Sequence, residues 1–104
     1  MSRKLSKYPG AVPKASSINY DEASAGEATN FQVVATNLAE DTVVTFVLGD
    51  STVEAKVGSV AGPDKNEDFL LEGSVTFSKS GIYQLILQNL NVPKHVQPCW
   101  IYVE

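Results

Sequence analysis

Alternation of apolar and polar residues with a period of two, broken by turn residues every eight to twelve positions, constrains this chain more than any other feature. Residues 29–36 set Phe31, Val33 and Ala35 against Gln32, Val34 and Thr36, and residues 82–88 set Tyr83, Leu85 and Leu87 against Gln84, Ile86 and Gln88. A strand whose side chains alternate in this way buries one face and wets the other. Further strands are expected at 16–20, with Ile18 and Tyr20 inward, and at 42–48, with Val44, Phe46 and Leu48 inward. Another is expected at 52–57, where Val53, Ala55 and Val57 alternate with Glu54 and Lys56 as suits a sheet edge. The last two expected strand regions are 69–77, where Gly73 marks a bulge or a break, and 99–103. Residues 20–29 have no apolar stripe at helical spacing and read as a polar turn; 58–68 and 89–98 read as loops. The class is all-β, a sandwich of about seven antiparallel strands.

The charge of the chain divides where its texture changes. Residues 1–15 hold Arg3, Lys4, Lys7 and Lys14 with no acid, whereas all twelve acids lie in 16–104 beside Lys56, Lys65, Lys79 and Lys94. The first part is thus +4 and the second −8, which together make the net −4. Pro9, Gly10 and Pro13 favour an extended arm over 1–15, and 16–104 supplies one sandwich domain. Leu5, Tyr8 and Val12 are interleaved with the basic residues, so the arm offers apolar anchors as well as charge for a protein partner. Arg3, Lys4, Leu5, Lys7, Tyr8, Val12 and Lys14 are the expected partner-binding residues. The acidic domain disfavours nonspecific nucleic-acid binding, and four arm charges give only modest, salt-sensitive affinity for phosphates. No apolar run follows Lys4 or Lys7, so a signal peptide is not expected, and no segment is long and apolar enough to span a bilayer.

Catalytic or metal chemistry finds little support. His95 and Cys99 are the single residues of their kinds, too few for a Cys/His zinc site. His95 reads as a surface residue, and Cys99 as a small apolar filler without the orienting third group a nucleophile needs. Asp64, Asn66 and Asp68 have the first three spacings of a calcium loop, but Phe69 and Val75 occupy the positions that require Gly and Glu. A solvated acidic loop is the simpler reading. Asp21-Glu22 and Glu40-Asp41 fall in expected turns with nothing to raise a carboxyl pKa. No enzyme activity, cofactor or metal is expected.

The segment Ser80-Gly81-Ile82-Tyr83-Gln84-Leu85 resembles the Gly-x-Tyr-x-hydrophobic start of strand F in immunoglobulin-like domains. There the tyrosine packs its ring inward and bonds the backbone just upstream. Leu85 and an apolar residue near Val33 stand where antibody domains have cysteines, and Phe46 stands where they have tryptophan. With Thr42 to Phe46, Gly49-Asp50 and Gly73 to Phe77, the pattern over 16–104 is similar to bacterial and bacteriophage immunoglobulin-like domains. That resemblance implies an immunoglobulin-like sandwich serving as a structural protein: a virion accessory on a capsid, tail or baseplate, assembled in the host cytoplasm. It would dock on a protein assembly, repeated on a symmetric lattice. The alternative it implies is a cell-surface or carbohydrate-binding adhesion module, with Trp100, Tyr102 or Phe69 as a stacking platform.

Overall fold

A computed structural model describes residues 12–90 and 92–104. Among these residues eight strands form two four-stranded antiparallel sheets. They are β1 (Lys14–Tyr20), β2 (Ala28–Thr36), β3 (Val43–Leu48), β4 (Ser51–Glu54), β5 (Lys56–Ala61), β6 (Asp68–Thr76), β7 (Gly81–Gln88) and β8 (His95–Val103). One sheet has the order β1-β2-β6-β5 and the other β4-β3-β7-β8. The former is the first sheet and the latter the second.

The alternation read from the sequence is what joins them. Phe31, Val33 and Ala35 of β2, Val44 and Phe46 of β3, and Tyr83, Leu85 and Leu87 of β7 all face the shared interior and are buried. Val33, Phe46 and Leu85 have no exposed surface, so apolar packing fills the centre of the layer between the sheets. Phe46 meets Phe31 edge-on with ring centroids 5.3 Å apart and Phe77 at 5.6 Å, geometries favoured by the ring quadrupoles. Tyr83 is 2% exposed, and its hydroxyl donates to the Lys79 carbonyl at 2.8 Å. The tyrosine expected at this corner thus does pack inward and bond upstream.

Several boundaries differ from the sequence reading, most by a single residue and a few by more. The run expected as one strand at 52–57 is two, because the chain leaves the second sheet after Glu54 and enters the first at Lys56. Ala55 makes the crossing: it is buried, and its N–H donates to the Val44 carbonyl at 2.9 Å. Alternation survives the crossing, since Val53 and Val57 stay half-buried and Glu54 and Lys56 exposed, which is why the pattern alone hides it. β5 then continues to Ala61, into residues expected as loop.

The other changes have local causes. β6 runs unbroken through Gly73, and the irregularity lies opposite, between Val57 and Ser59 of β5. A Cβ on Gly73 would stand 2.6 Å from the Lys56 carbonyl oxygen and 3.0 Å from the Phe31 ring, so glycine there makes room for the neighbouring strand and that ring. β8 begins at His95, within the expected loop, and passes through Pro98. Residues 97–99 lie between the pairs Gln84↔Trp100 and Ile86↔Val96, opposite Leu85 alone. This bulge on an edge strand accommodates a proline that has no N–H to give. Finally, β1 starts at Lys14, ahead of the expected boundary at residue 16.

Tyr83→Phe should lower stability by about 1–2 kcal/mol, because it strands a partly buried carbonyl while preserving the ring packing. Urea unfolding of the two proteins measures this, with an unchanged m-value expected.

Candidate functional site

Three surfaces compete as the site of function: the root of the arm, a polar groove on the first sheet, and the outer face of the second sheet.

The arm root is built around Gln97, which the bulge in β8 turns inward to 4% exposure. Its amide oxygen accepts from the Ala15 N–H at 2.8 Å, and its amide nitrogen donates to the Pro13 carbonyl at 3.0 Å. The same nitrogen donates to the His95 carbonyl at 3.1 Å, so a buried amide is fully used. One residue earlier, the Asn37 side chain donates to the Val12 carbonyl at 2.9 Å. Pro13 and Ala15 are buried while Lys14 is exposed. Neighbouring Asn89 donates from its side chain to the Asn37 carbonyl at 2.6 Å and accepts from the Thr42 hydroxyl at 2.6 Å. The chain therefore enters the body through a hydrogen-bonded seat that ties β1 to β8 and to the β2–β3 turn.

Of the expected arm residues, Val12 and Lys14 belong to this seat, at 37% exposure for Val12. Arg3, Lys4, Leu5, Lys7 and Tyr8 lie outside the described residues.

The groove occupies the outer face of the first sheet and encloses about 820 Å³. Cross-strand pairing aligns Asn19, Gln32 and Glu72 in one row and Asn30, Ser74 and Lys56 in the next. Gln32 donates to the Glu72 carboxylate at 3.0 Å, fixing one acceptor in place. The result is an open surface of amides with two acids, Asp21 and Glu72, and one base, Lys56.

The outer face of the second sheet is the opposite in character. Trp100 and Tyr102 stand on it at 42% and 61% exposure, beside Ile82 and Val96. Phe69, the third aromatic expected as a stacking platform, is instead 3% exposed in the core of β6. Its neighbour Leu71 alternates with it, so both belong to the inward set of a strand that sequence inspection had begun one residue late.

The remaining sites resolve simply. Asp64 turns its carboxylate onto its own loop, accepting from the N–H groups of Asn66 at 2.8 Å and Asp68 at 3.0 Å. Among the described residues no three of His, Cys, Asp or Glu gather as metal ligands. His95 is half-buried at the start of β8, with Nδ1 2.8 Å from the Pro93 carbonyl. Burial pushes the Cys99 thiol pKa up, the reverse of what activates a nucleophile. Asp21, Glu22, Glu40 and Asp41 are exposed.

Beyond Trp100 and Tyr102, the apolar face also carries a signal in the sequence, whereas the groove carries none. Ile82 and Ile86 occupy the outward positions of β7, as Val43 and Val47 do on β3, and apolar residues on the wet side of an alternating strand mark a covered face. No family model, characterised protein or solved structure matches the chain.

For Cys99, the unfolded thiol ionises near pH 8.5 and the folded one at higher pH. Its contribution to stability is complete below that range and is lost as pH rises toward the folded value. The urea midpoint of the native sequence should fall more steeply above pH ~8.5 than that of Cys99→Ala. In the same buffers a thiol reagent should modify Cys99 only on unfolding.

Proposed function

We propose that this chain is a non-enzymatic, immunoglobulin-like attachment module that docks on a larger protein assembly, of the kind that decorates bacteriophage capsids, tails or baseplates. What carries the reading is the arm root. A terminus that merely frays needs no buried glutamine bridging Pro13 and Ala15. A terminus that bears load does, because force applied to residues 1–11 must enter the sandwich through a defined strand. The basic and apolar arm residues, Arg3 to Lys14, supply the docking contact in this reading. The immunoglobulin-like part of the proposal is supported by topology. Lettered in chain order as A, B, C, C′, D, E, F and G, the strands give sheets ABED and C′CFG, with the tyrosine corner at the start of F.

Two changes test the docking role. Deleting residues 2–11 should abolish co-sedimentation with purified particles while leaving the melting temperature nearly unchanged. Gln97→Ala should weaken co-sedimentation several-fold and lower stability by about 1–3 kcal/mol, as expected for freed buried partners. Full binding by the deletion would reject the arm's role.

A second reading, a carbohydrate-binding adhesion module at a cell surface, draws on the polar groove. Adding neutral oligosaccharides to ¹⁵N-labelled protein should then shift the amide signals of Asn30, Gln32 and Glu72. Unmoved signals at millimolar sugar would dismiss it.

A further inference from the structure

The outer face of the second sheet is an apolar surface that a single chain leaves uncovered. Among the described residues eight large apolar side chains are exposed, and five of them, Val43, Ile82, Val96, Trp100 and Tyr102, share this face. Cross-strand pairing makes them contiguous: Ile82 lies beside Tyr102, Gln84 beside Trp100, and Ile86 beside Val96. On the other side Val47 pairs with Gln84 and Thr45 with Ile86. No charged side chain stands at an outward position of β3, β7 or β8, and Glu54 on β4 marks the rim.

We propose that this face pairs with the same face of a second copy, giving a twofold dimer packed sheet on sheet. Charge selects that occupant. Two molecules of net charge −4 repel each other, so they can meet closely only through a surface that carries no charge of its own. In a twofold contact each side meets its own kind, and a charge-free face is therefore complementary to itself. A basic partner would instead be recognised through carboxylates, which this face lacks at its centre.

Size and polarity agree with pairing. Strands ~4.8 Å apart and of four, six, eight and nine residues give a footprint of about 430 Å². Two such faces remove on the order of 900 Å², the size of a weak, reversible contact. The two glutamine side chains within the patch are already engaged: Gln84 donates to the Gln97 carbonyl at 2.9 Å and Gln88 to the Val92 carbonyl at 3.2 Å. Covering them strands no amide donor that the sheet itself holds, so burial costs less than for free amides.

Sedimentation velocity of the full chain between about 1 and about 500 μM tests the proposal across the affinity range expected for such an area. A concentration-dependent dimer is expected, accompanied by a blue shift of the single tryptophan's emission as Trp100 leaves water. Trp100→Glu combined with Tyr102→Glu should be monomeric throughout with an unchanged circular dichroism spectrum. Ile82→Lys provides an independent disruption with the same expected outcome. Asn30→Glu, on the opposite sheet, should dimerise like the native protein. A native chain that stays monomeric over the whole range overturns the proposal, as does a dimer that survives the two glutamates in a folded protein. Loss of the dimer in Asn30→Glu would place the contact on the other sheet. A monomer whose Trp100 emission shifts only on adding a neutral glucan would assign the face to sugar instead.

Discussion

Neither sheet of this protein can bury its inner face alone, and the apolar layer between them is the contact on which everything else rests. Phe46 lies at its centre, touching a ring from the opposite sheet in Phe31 and a ring beyond the end of β6 in Phe77. Tyr83 extends the same stack, with its centroid 4.4 Å from that of Phe77. This aromatic chain fixes the spacing of the sheets without a disulfide. Cys99, the one cysteine, is only a minor filler at the edge of the layer. Gly73 is part of the same arrangement, because the Phe31 ring occupies the space its missing side chain leaves.

Hydrogen bonds close the ends of the layer. At one end Gln97, Asn37, Asn89 and Thr42 hold residues 12–15, β8 and the β2–β3 turn together. At the other, the Ala25 N–H donates to the Glu104 carbonyl and the Glu104 N–H to the Ala23 carbonyl, both at 2.9 Å, pinning the C-terminal residue to the β1–β2 loop. Such bonds matter because the chain enters and leaves the interior there, where backbone groups lose water without gaining a ladder partner. Gln84 adds a link between surfaces, since it stands on the outer face of the second sheet and bonds the backbone of Gln97, which holds Pro13 and Ala15.

Much of the fold was legible in the sequence because period-two alternation reports directly on which side of a strand is dry. Alternation puts Phe46 on a core face and groups Phe31 with Val33 and Leu85 with Leu87 on single faces, and all five are buried. What alternation does not encode is which sheet a strand joins. The crossing at Ala55 preserves the pattern on both sides, so two strands read as one. Pro98 misled for a different reason: proline normally excludes a residue from a ladder, but the bulge in β8 places it where no donor is required. The candidate surfaces were harder still. The groove residues come from four strands and become neighbours only through register, while Gln97 was an ordinary polar residue until burial gave its amide three partners.

The bulge in β8 has one more consequence. A β-protein that shows this much apolar surface beside a sheet edge risks growing into fibres by strand addition. Here the edge is spoiled along much of its length. Pro98 offers no donor, the bulge breaks the regular spacing, and the Tyr20 hydroxyl captures the Tyr102 N–H at 2.9 Å. An incoming strand would find no continuous ladder to copy on β8, so apolar contact through the face does not open the way to polymerisation along that edge.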